Sequence, residues 1–254
     1  MTAVRSPSGR VVEIGGIRLD DLGFTGAVDA IEAWALEGSG GYVCTPNVDF
    51  LVRARRDPAF LVALADARLR LPDGMGVVYG ARLRGTPLSG TVTGRKLPEA
   101  LAARLAGTPH SIGLLGGPPG AADAAARRLA MLGVDVSVAM APSMTFEIGS
   151  TEDAACTAAI AGARPRILFV GLGAPKQELW MRRHQTDLPE TVLVGVGQAI
   201  AVLAGDVATA PEWMTRVGLE WAFRLVQEPR RLARRYLRDD PRFFWWMLKD
   251  RFQR

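Results

Sequence analysis

Apolar positions in this chain change their spacing several times, and each change marks an element. Val11 to Leu22 predicts a short β-rich entry. From Thr25 to Leu36 the apolar residues fall at helical spacing and stop before Gly38, a candidate C-cap. A strand over Gly41 to Cys44 runs into Thr45-Pro46-Asn47. Val48 to Ala67 then gives two helical stretches parted at Asp57-Pro58, where the proline suits a first helical turn. Arg68 to Leu71 predicts a strand ending in Pro72-Asp73-Gly74. The second half alternates more regularly, with strands at Ser111 to Leu115, Val134 to Val138, Arg166 to Val170 and Val192 to Val196. Helices at Gly120 to Leu132, Thr151 to Ala161 and Pro175 to Gln185 separate them.

Strands alternating with helices of this length imply βαβ units, hence an α/β fold with a Rossmann-like parallel sheet covered by helices on both faces. Such sheets bind ligands beyond the carboxyl ends of their strands. Three turns occupy those ends: Thr45-Pro46-Asn47, Asp73-Gly74-Met75-Gly76 and the run from Gly171 to Glu178. From Pro211 onward the pattern is helical only, divided by Pro229 and Pro241. The expected organisation is an α/β core over residues 1–208, in one or two lobes, and a helical, basic and aromatic C-terminal appendage over 209–254.

Composition narrows the class. The chain has 254 residues, 48% of them hydrophobic, enough to bury a sizeable core. Its two cysteines, Cys44 and Cys156, sit in apolar or alanine-rich contexts and form no disulfide framework or metal-ligand cluster, which fits a reducing cytoplasm. Met1 to Arg10 is polar and lacks the apolar segment of a secretory signal. Thr191 to Gly205, the most apolar stretch, falls short of the roughly 20 residues a spanning helix needs. The net charge of +5 favours anionic partners. Arg216 to Arg254 holds ten arginines and one lysine against five acids, a balance of +6, so the tail carries more than the whole excess.

Transfer of a group from a phosphate-bearing donor to a hydroxyl needs a base for the hydroxyl proton and N–H or cationic groups for the departing phosphate. Asp73, at a strand end beside Gly74 and Gly76, is the base candidate, although Asp-Gly is also a common turn. Thr45 and Asn47 offer a hydroxyl and an amide at the neighbouring strand end; a turn and helix cap would use the same residues. Gly171 and Gly173 precede a proline at a helix start, a geometry that brings phosphate to helix N–H groups, with Lys176 and Gln177 facing the ligand. The run lacks the third glycine of a dinucleotide fingerprint and a Walker lysine. No histidine or acid cluster has metal-ligand spacing, and no Gly-x-Ser-x-Gly elbow is present, so neither a metal nor any other cofactor is expected. In the tail, arginines alternate with tryptophan, phenylalanine and tyrosine, as in an interfacial membrane helix, and Arg224, Arg231 and Arg234 could clamp a pyrophosphate. Nucleic-acid binding would use similar residues, but no such motif accompanies them.

Taken in order, Thr45-Pro-Asn47, Leu71-Pro-Asp73-Gly-Met-Gly76, Gly171-Leu-Gly-Ala-Pro-Lys-Gln-Glu178 and Gly218-Leu-Glu-Trp-Ala-Phe-Arg224 resemble the motifs of the WecG/TagA/CpsF glycosyltransferase family. The resemblance extends over about Ile14 to Tyr236. It implies metal-independent, inverting transfer of an N-acetylmannosamine-type sugar from a UDP donor to an undecaprenyl-diphosphate-linked glycan in cell-surface polysaccharide synthesis. It implies that Asp73 is the catalytic base, that Thr45, Asn47 and Gln177 line the substrate pocket, and that Arg224, Arg231 and Arg234 approach the diphosphates. The implied location is cytoplasmic, peripheral on the inner face of the membrane, with homo-oligomerisation left open. Two segments depart from the family pattern. Thr91-Val-Thr-Gly-Arg-Lys96 stands where relatives often have Arg-Val-Thr-Gly-x-Asp, and Gly195-Val-Gly-Gln-Ala-Ile-Ala201 where they often have Gly-x-Gly-x-x-Phe-Asp. The alternatives are therefore a divergent donor, a soluble acceptor in specialised metabolism, or a nucleotide-sugar-binding homologue without activity.

Overall fold

The computed structural model describes residues 9–207, 211, 214, 220–227 and 240–252. Arg231 and Arg234 lie outside the described residues, as does the side chain of Arg224. The chain enters through an antiparallel hairpin, β1 (Arg10–Ile14) and β2 (Ile17–Asp21). Gly15 and Gly16 turn it at φ 61° and 84°, a two-residue turn whose twist matches the strands it joins. The Asp20 carboxylate accepts from the backbone N–H of Arg70 at 2.8 Å and pairs with its guanidinium at 3.2 Å, fastening the hairpin to the edge of the main sheet.

That sheet contains β3 (Gly41–Cys44), β4 (Leu69–Arg70), β5 (Ser111–Gly116), β6 (Asp135–Met140), β7 (Ile167–Gly171) and β8 (Val192–Gly195) in the order β4-β3-β8-β7-β5-β6. Every pairing in it is parallel. Because side chains alternate along a strand, the apolar runs divide between two cores. Tyr42, Cys44, Leu168, Val170 and Leu193 face one; Val43, Ile167, Phe169, Val192 and Val194 face the other. Helices α1 (Gly23–Glu37), α5 (Leu97–Leu105), α6 (Ala121–Ala130) and α9 (Ala199–Ala204) cover the second face. The first is covered by the hairpin and by α2 (Val48–Ala54), α3 (Pro58–Ala65), α4 (Met75–Arg84), α7 (Thr151–Ala163) and α8 (Lys176–His184). Each large aliphatic or aromatic side chain buried in these layers contributes about 1.5–3 kcal/mol.

Three helices, α4, α5 and α9, were not anticipated by the spacing of apolar residues. In α4, Gly76 and Gly80 interrupt the pattern, and glycine in a helix interior costs about 1 kcal/mol relative to alanine. Tertiary packing requires both. A Cβ at Gly76 would lie 2.8 Å from the Val48 side chain, and one at Gly80 would lie 2.4 Å from the ring of Phe243. Phe243 belongs to α11 (Asp240–Phe252), which follows α10 (Glu220–Gln227) among the described residues. Phe243 and Met247, four apart, are buried against α4 and α2, and the Arg55 guanidinium lies 4.4 Å from the Trp246 ring. The aromatic tail is thus divided: Phe243 is core, while Trp245 remains 59% exposed. Of the other two, α5 has a legible signal in Leu97, Leu101 and Leu105 and in Pro98 at its first turn, whereas α9 is a six-residue helix inside the apolar run from Thr191 to Gly205, closed by Gly205 at φ 88°.

Candidate active site

All six strands of the main sheet deliver residues from their carboxyl ends to one cleft of about 720 Å³, a volume typical of small-molecule sites. After β3, Thr45 is buried and its hydroxyl donates to the Gly195 carbonyl at 3.3 Å, tying the ends of two neighbouring strands together. Asn47 caps α2, its side-chain oxygen accepting from the Phe50 N–H at 3.3 Å. The helix then turns Asp49, Phe50 and Arg53 toward the cleft at helical spacing. After β4, the Asp73 N–H donates to the Pro46 carbonyl at 2.9 Å, and the Val92 N–H to the Pro72 carbonyl at 2.7 Å. Asp73 is therefore held at the cleft by backbone pairing that continues past both strands.

The glycine-rich ends sit opposite. Gly116, the last residue of β5, and Gly117 after it have φ 118° and 85°. A Cβ at Gly116 would fall 2.5 Å from the Gly171 carbonyl, so the β5 and β7 ends touch backbone to backbone. Gly171, Gly173, Lys176 and Gln177 line the cleft after β7. The Lys176 ammonium donates to the Phe146 carbonyl at 2.7 Å, reaching a loop after β6 that also brings Ser143 and Met144 to the cleft. Glu152 fixes this loop, accepting from both the N–H and the hydroxyl of Ser143 at 2.7 Å. Phe223 of α10 completes the wall.

Of the residues singled out from sequence, Thr45, Asn47, Asp73, Gly171, Gly173, Lys176 and Gln177 line one cleft. Gly74 and Gly76 stand outside the lining. Gly74, at φ 82° and ψ 147°, is the turn that lets α4 start directly after Asp73, and Gly76 serves packing. The sequence reading missed Arg53, Arg95, Gln198 and the Ser143 to Phe146 loop. Helical spacing from the Asn47 cap would have found Arg53; no local signal marks the loop.

Beneath the floor lies Glu178, fully buried, with one oxygen accepting from the Gln177 side-chain amide at 2.5 Å and the other without a hydrogen-bond partner. Burial pushes its carboxyl up to about 7, and the Gln177 amide, its own backbone N–H and the Arg53 charge only partly oppose that. Burial also pushes the Cys44 thiol well above its ordinary value, with the Glu178 charge adding to the effect, so this cysteine is a packing thiol rather than a nucleophile. Among the described residues no group of three or more His, Cys, Asp or Glu side chains is gathered as a metal site.

The sequence over residues 12–254 matches the model of the Glycosyl transferase WecG/TagA/CpsF family. The chain belongs to this family. Two similar relatives carry the name N-acetylglucosaminyldiphosphoundecaprenol N-acetyl-beta-D-mannosaminyltransferase. The one from Bacillus subtilis is 27% identical over 228 residues, covering 89% of this chain and 86% of its own length. The one from Bacillus spizizenii is 28% identical over 216 residues, covering 84% and 82%. As a WecG/TagA/CpsF glycosyltransferase, the protein is a sugar-transferring enzyme. Its two departures from the family pattern differ in position. Lys96 is exposed and off the lining, whereas Ala201 is buried at the cleft wall.

Proposed function

We propose that the cleft binds a UDP-sugar of the N-acetylmannosamine class and transfers the sugar, with inversion and without a metal ion, to a hydroxyl of a lipid-diphosphate-linked glycan. The observation that carries the reading is the meeting of the Asp73 carboxyl and the glycine-rich ends of β5 and β7 at one cleft. In this reading Asp73 takes the acceptor hydroxyl proton as that oxygen attacks the anomeric carbon from the face opposite the diphosphate. The bond from carbon to diphosphate oxygen breaks, and a single displacement inverts the centre. Charge on the departing nucleoside diphosphate is met by Lys176, Arg95 and backbone N–H groups at the strand ends, with Arg224, Arg231 and Arg234 supplied by the tail. The names of the relatives support both the sugar and the lipid acceptor for this chain. The test is incubation with UDP-N-acetylmannosamine and a synthetic N-acetylglucosaminyl-diphospho-lipid in excess chelator, read by product mass and anomeric coupling. The expected product is one N-acetylhexosamine heavier and inverted. Turnover that stops in chelator would remove metal independence; no transfer with this or any other nucleotide sugar would sink the whole reading.

A second reading, a different nucleotide or sugar, is favoured by one residue. Ala201 places a methyl group on the cleft wall where the family pattern often has a carboxylate.

The same proposal puts the protein at the cytoplasmic face of the membrane as a peripheral enzyme. Among the described residues no helix is long and apolar enough to cross a membrane. On α11, Arg242, Trp245, Leu248 and Lys249 are exposed and lie at helical spacing on the side away from Phe243 and Met247. A ring, an aliphatic side chain and two cations on one face suit an anionic lipid surface. The double variant Trp245→Glu, Leu248→Glu leaves the buried side of the helix untouched. It is expected to lower co-sedimentation with phosphatidylglycerol-containing vesicles about tenfold or more. Pelleting equal to wild type would end the membrane assignment for this helix.

A further inference from the structure

Glu178 closes the Gly171 to Glu178 run and has no part in the chemistry above, yet its setting is not what the fold needs. At the first turn of α8 an exposed acid would complement the helix dipole. This one is instead fully buried, with one oxygen unpartnered, and a buried polar atom without a partner costs stability. What the carboxyl does is accept from Nε2 of Gln177.

Gln177 is also buried, and its amide is committed at both ends. Oε1 accepts from the Gly197 N–H at 3.1 Å, and Nε2 donates to Glu178. Gly197 sits in the turn between β8 and α9, where Val196, Gly197 and Gln198 all line the cleft. A side-chain amide is nearly symmetric in shape, so only its partners fix which end is oxygen. Without an acceptor at Glu178, the buried Nε2 is left unpartnered and only the Gly197 N–H holds the amide, which can then turn away from that N–H toward other acceptors. Gly195 leaves little room for adjustment: a Cβ there would meet Gln177 Nε2 at 3.0 Å and Met181 Cε at 2.9 Å. The Gly195 carbonyl in turn accepts from Thr45.

We infer that Glu178 is a positioning residue for donor binding: from beneath the floor it sets the orientation of the Gln177 amide, and through it the β8–α9 turn against which the nucleoside diphosphate lies. The carboxyl near neutrality keeps an acceptor oxygen toward Gln177 in either protonation state, so the orienting contact does not depend on its charge. This inference rests on the proposed nucleotide-sugar reading of the cleft.

The experiment compares wild type with Glu178→Gln, which keeps an acceptor oxygen, and Glu178→Met, which keeps length and apolar volume but has no acceptor. UDP is titrated by calorimetry, donor KM and kcat are measured, and the thermal midpoint of each protein is recorded. The Gln variant is expected to bind UDP within about threefold of wild type. The Met variant should bind it at least tenfold more weakly and raise donor KM by a similar factor, with kcat changed much less. Its midpoint should stay within a few degrees of that of wild type, because the unpartnered Glu178 oxygen that is lost offsets the Gln177 Nε2 that is left without an acceptor. A merely structural residue would lower the midpoint further and lose binding only in step with it, and that result overturns the inference. So does UDP binding by the Met variant as tight as that of wild type. If wild type itself binds neither UDP nor any nucleotide sugar, the reading of the cleft fails first and takes the inference with it.

Discussion

Asp73→Asn is expected to cut turnover by about 10²- to 10⁴-fold while donor binding and the thermal midpoint stay near wild type. The amide has the carboxylate's shape and preserves the backbone bond from Asp73 N–H to the Pro46 carbonyl, so the β4 end remains in place. It cannot accept the acceptor's proton, so only the chemical step suffers. Two features make the variant a clean probe. Asp73 is half-buried at the cleft wall rather than a member of either core, and Gly74 absorbs the unusual backbone of the turn. The decisive measurement is kcat with saturating donor and acceptor beside a calorimetric donor affinity. Turnover within threefold of wild type would remove Asp73 from the role of base, leaving the cleft but not this chemistry.

The second large effect concerns what holds α8, and therefore the glycine-rich run before it, to the rest of the fold. Asp153 of α7 is buried and accepts from the Gly149 N–H at 2.7 Å and from the Trp180 indole at 2.7 Å, and it lies 3.1 Å from His184 Nε2. Trp180 and His184 both belong to α8. Asp153→Ala leaves these donors facing a void and is expected to cost about 3–5 kcal/mol. In a chain of this size that lowers Tm by roughly 10 °C. Asp187→Ala removes the exposed carboxylate on the other side of His184 and serves as the control, with an expected loss of about 1 kcal/mol or less. The effect has a pH signature. Burial alone would raise the Asp153 carboxyl, but the Gly149 N–H, the indole and His184 outweigh it and hold it below its ordinary value. Its contribution is therefore complete above the unfolded carboxylate range, near pH 4, and is lost as pH falls through the lowered value. Asp153→Asn should flatten the acid limb of the stability curve. A midpoint for Asp153→Ala within 2 °C or so of wild type would show that α7 and α8 are held by apolar packing alone.

Much of this architecture is written in local pattern. Parallel strands buried on both faces must read as short apolar runs, and Ile167 to Val170 and Val192 to Val194 do so without ambiguity. The turns after β3, β4 and β7 follow from the same logic, since a strand end that meets ligand carries glycine, small polar residues or a capping asparagine. That was enough to place Asp73, Asn47 and Lys176 at one end of a sheet. The order β4-β3-β8-β7-β5-β6 was not available locally, because the partner of each strand is chosen by distant residues, and only that order sets β4 and β7 across one cleft with β3 and β8 between them. Contacts between elements also decided the glycines. Gly74 and Gly76 read as a substrate approach, yet Gly76 makes room for Val48 and Gly80 for Phe243, closures that no neighbour in sequence can announce. The tail shows the same limit. Its arginine and aromatic content is plain, but which rings turn inward depends on contacts with α2 and α4, more than 150 residues earlier in the chain. Glu178 is the sharpest case. One glutamate in a first helical turn is unremarkable as sequence, and only burial beside Gln177 and Gly197 gives it an environment in which its oxygen atoms matter. The sequence by itself determined the strands, most of the helices and the chemistry carried at their ends, because these follow from residue type and spacing. Tertiary structure alone decided which ends meet and which side chains lose water, because burial and proximity belong to pairs of segments, not to either one.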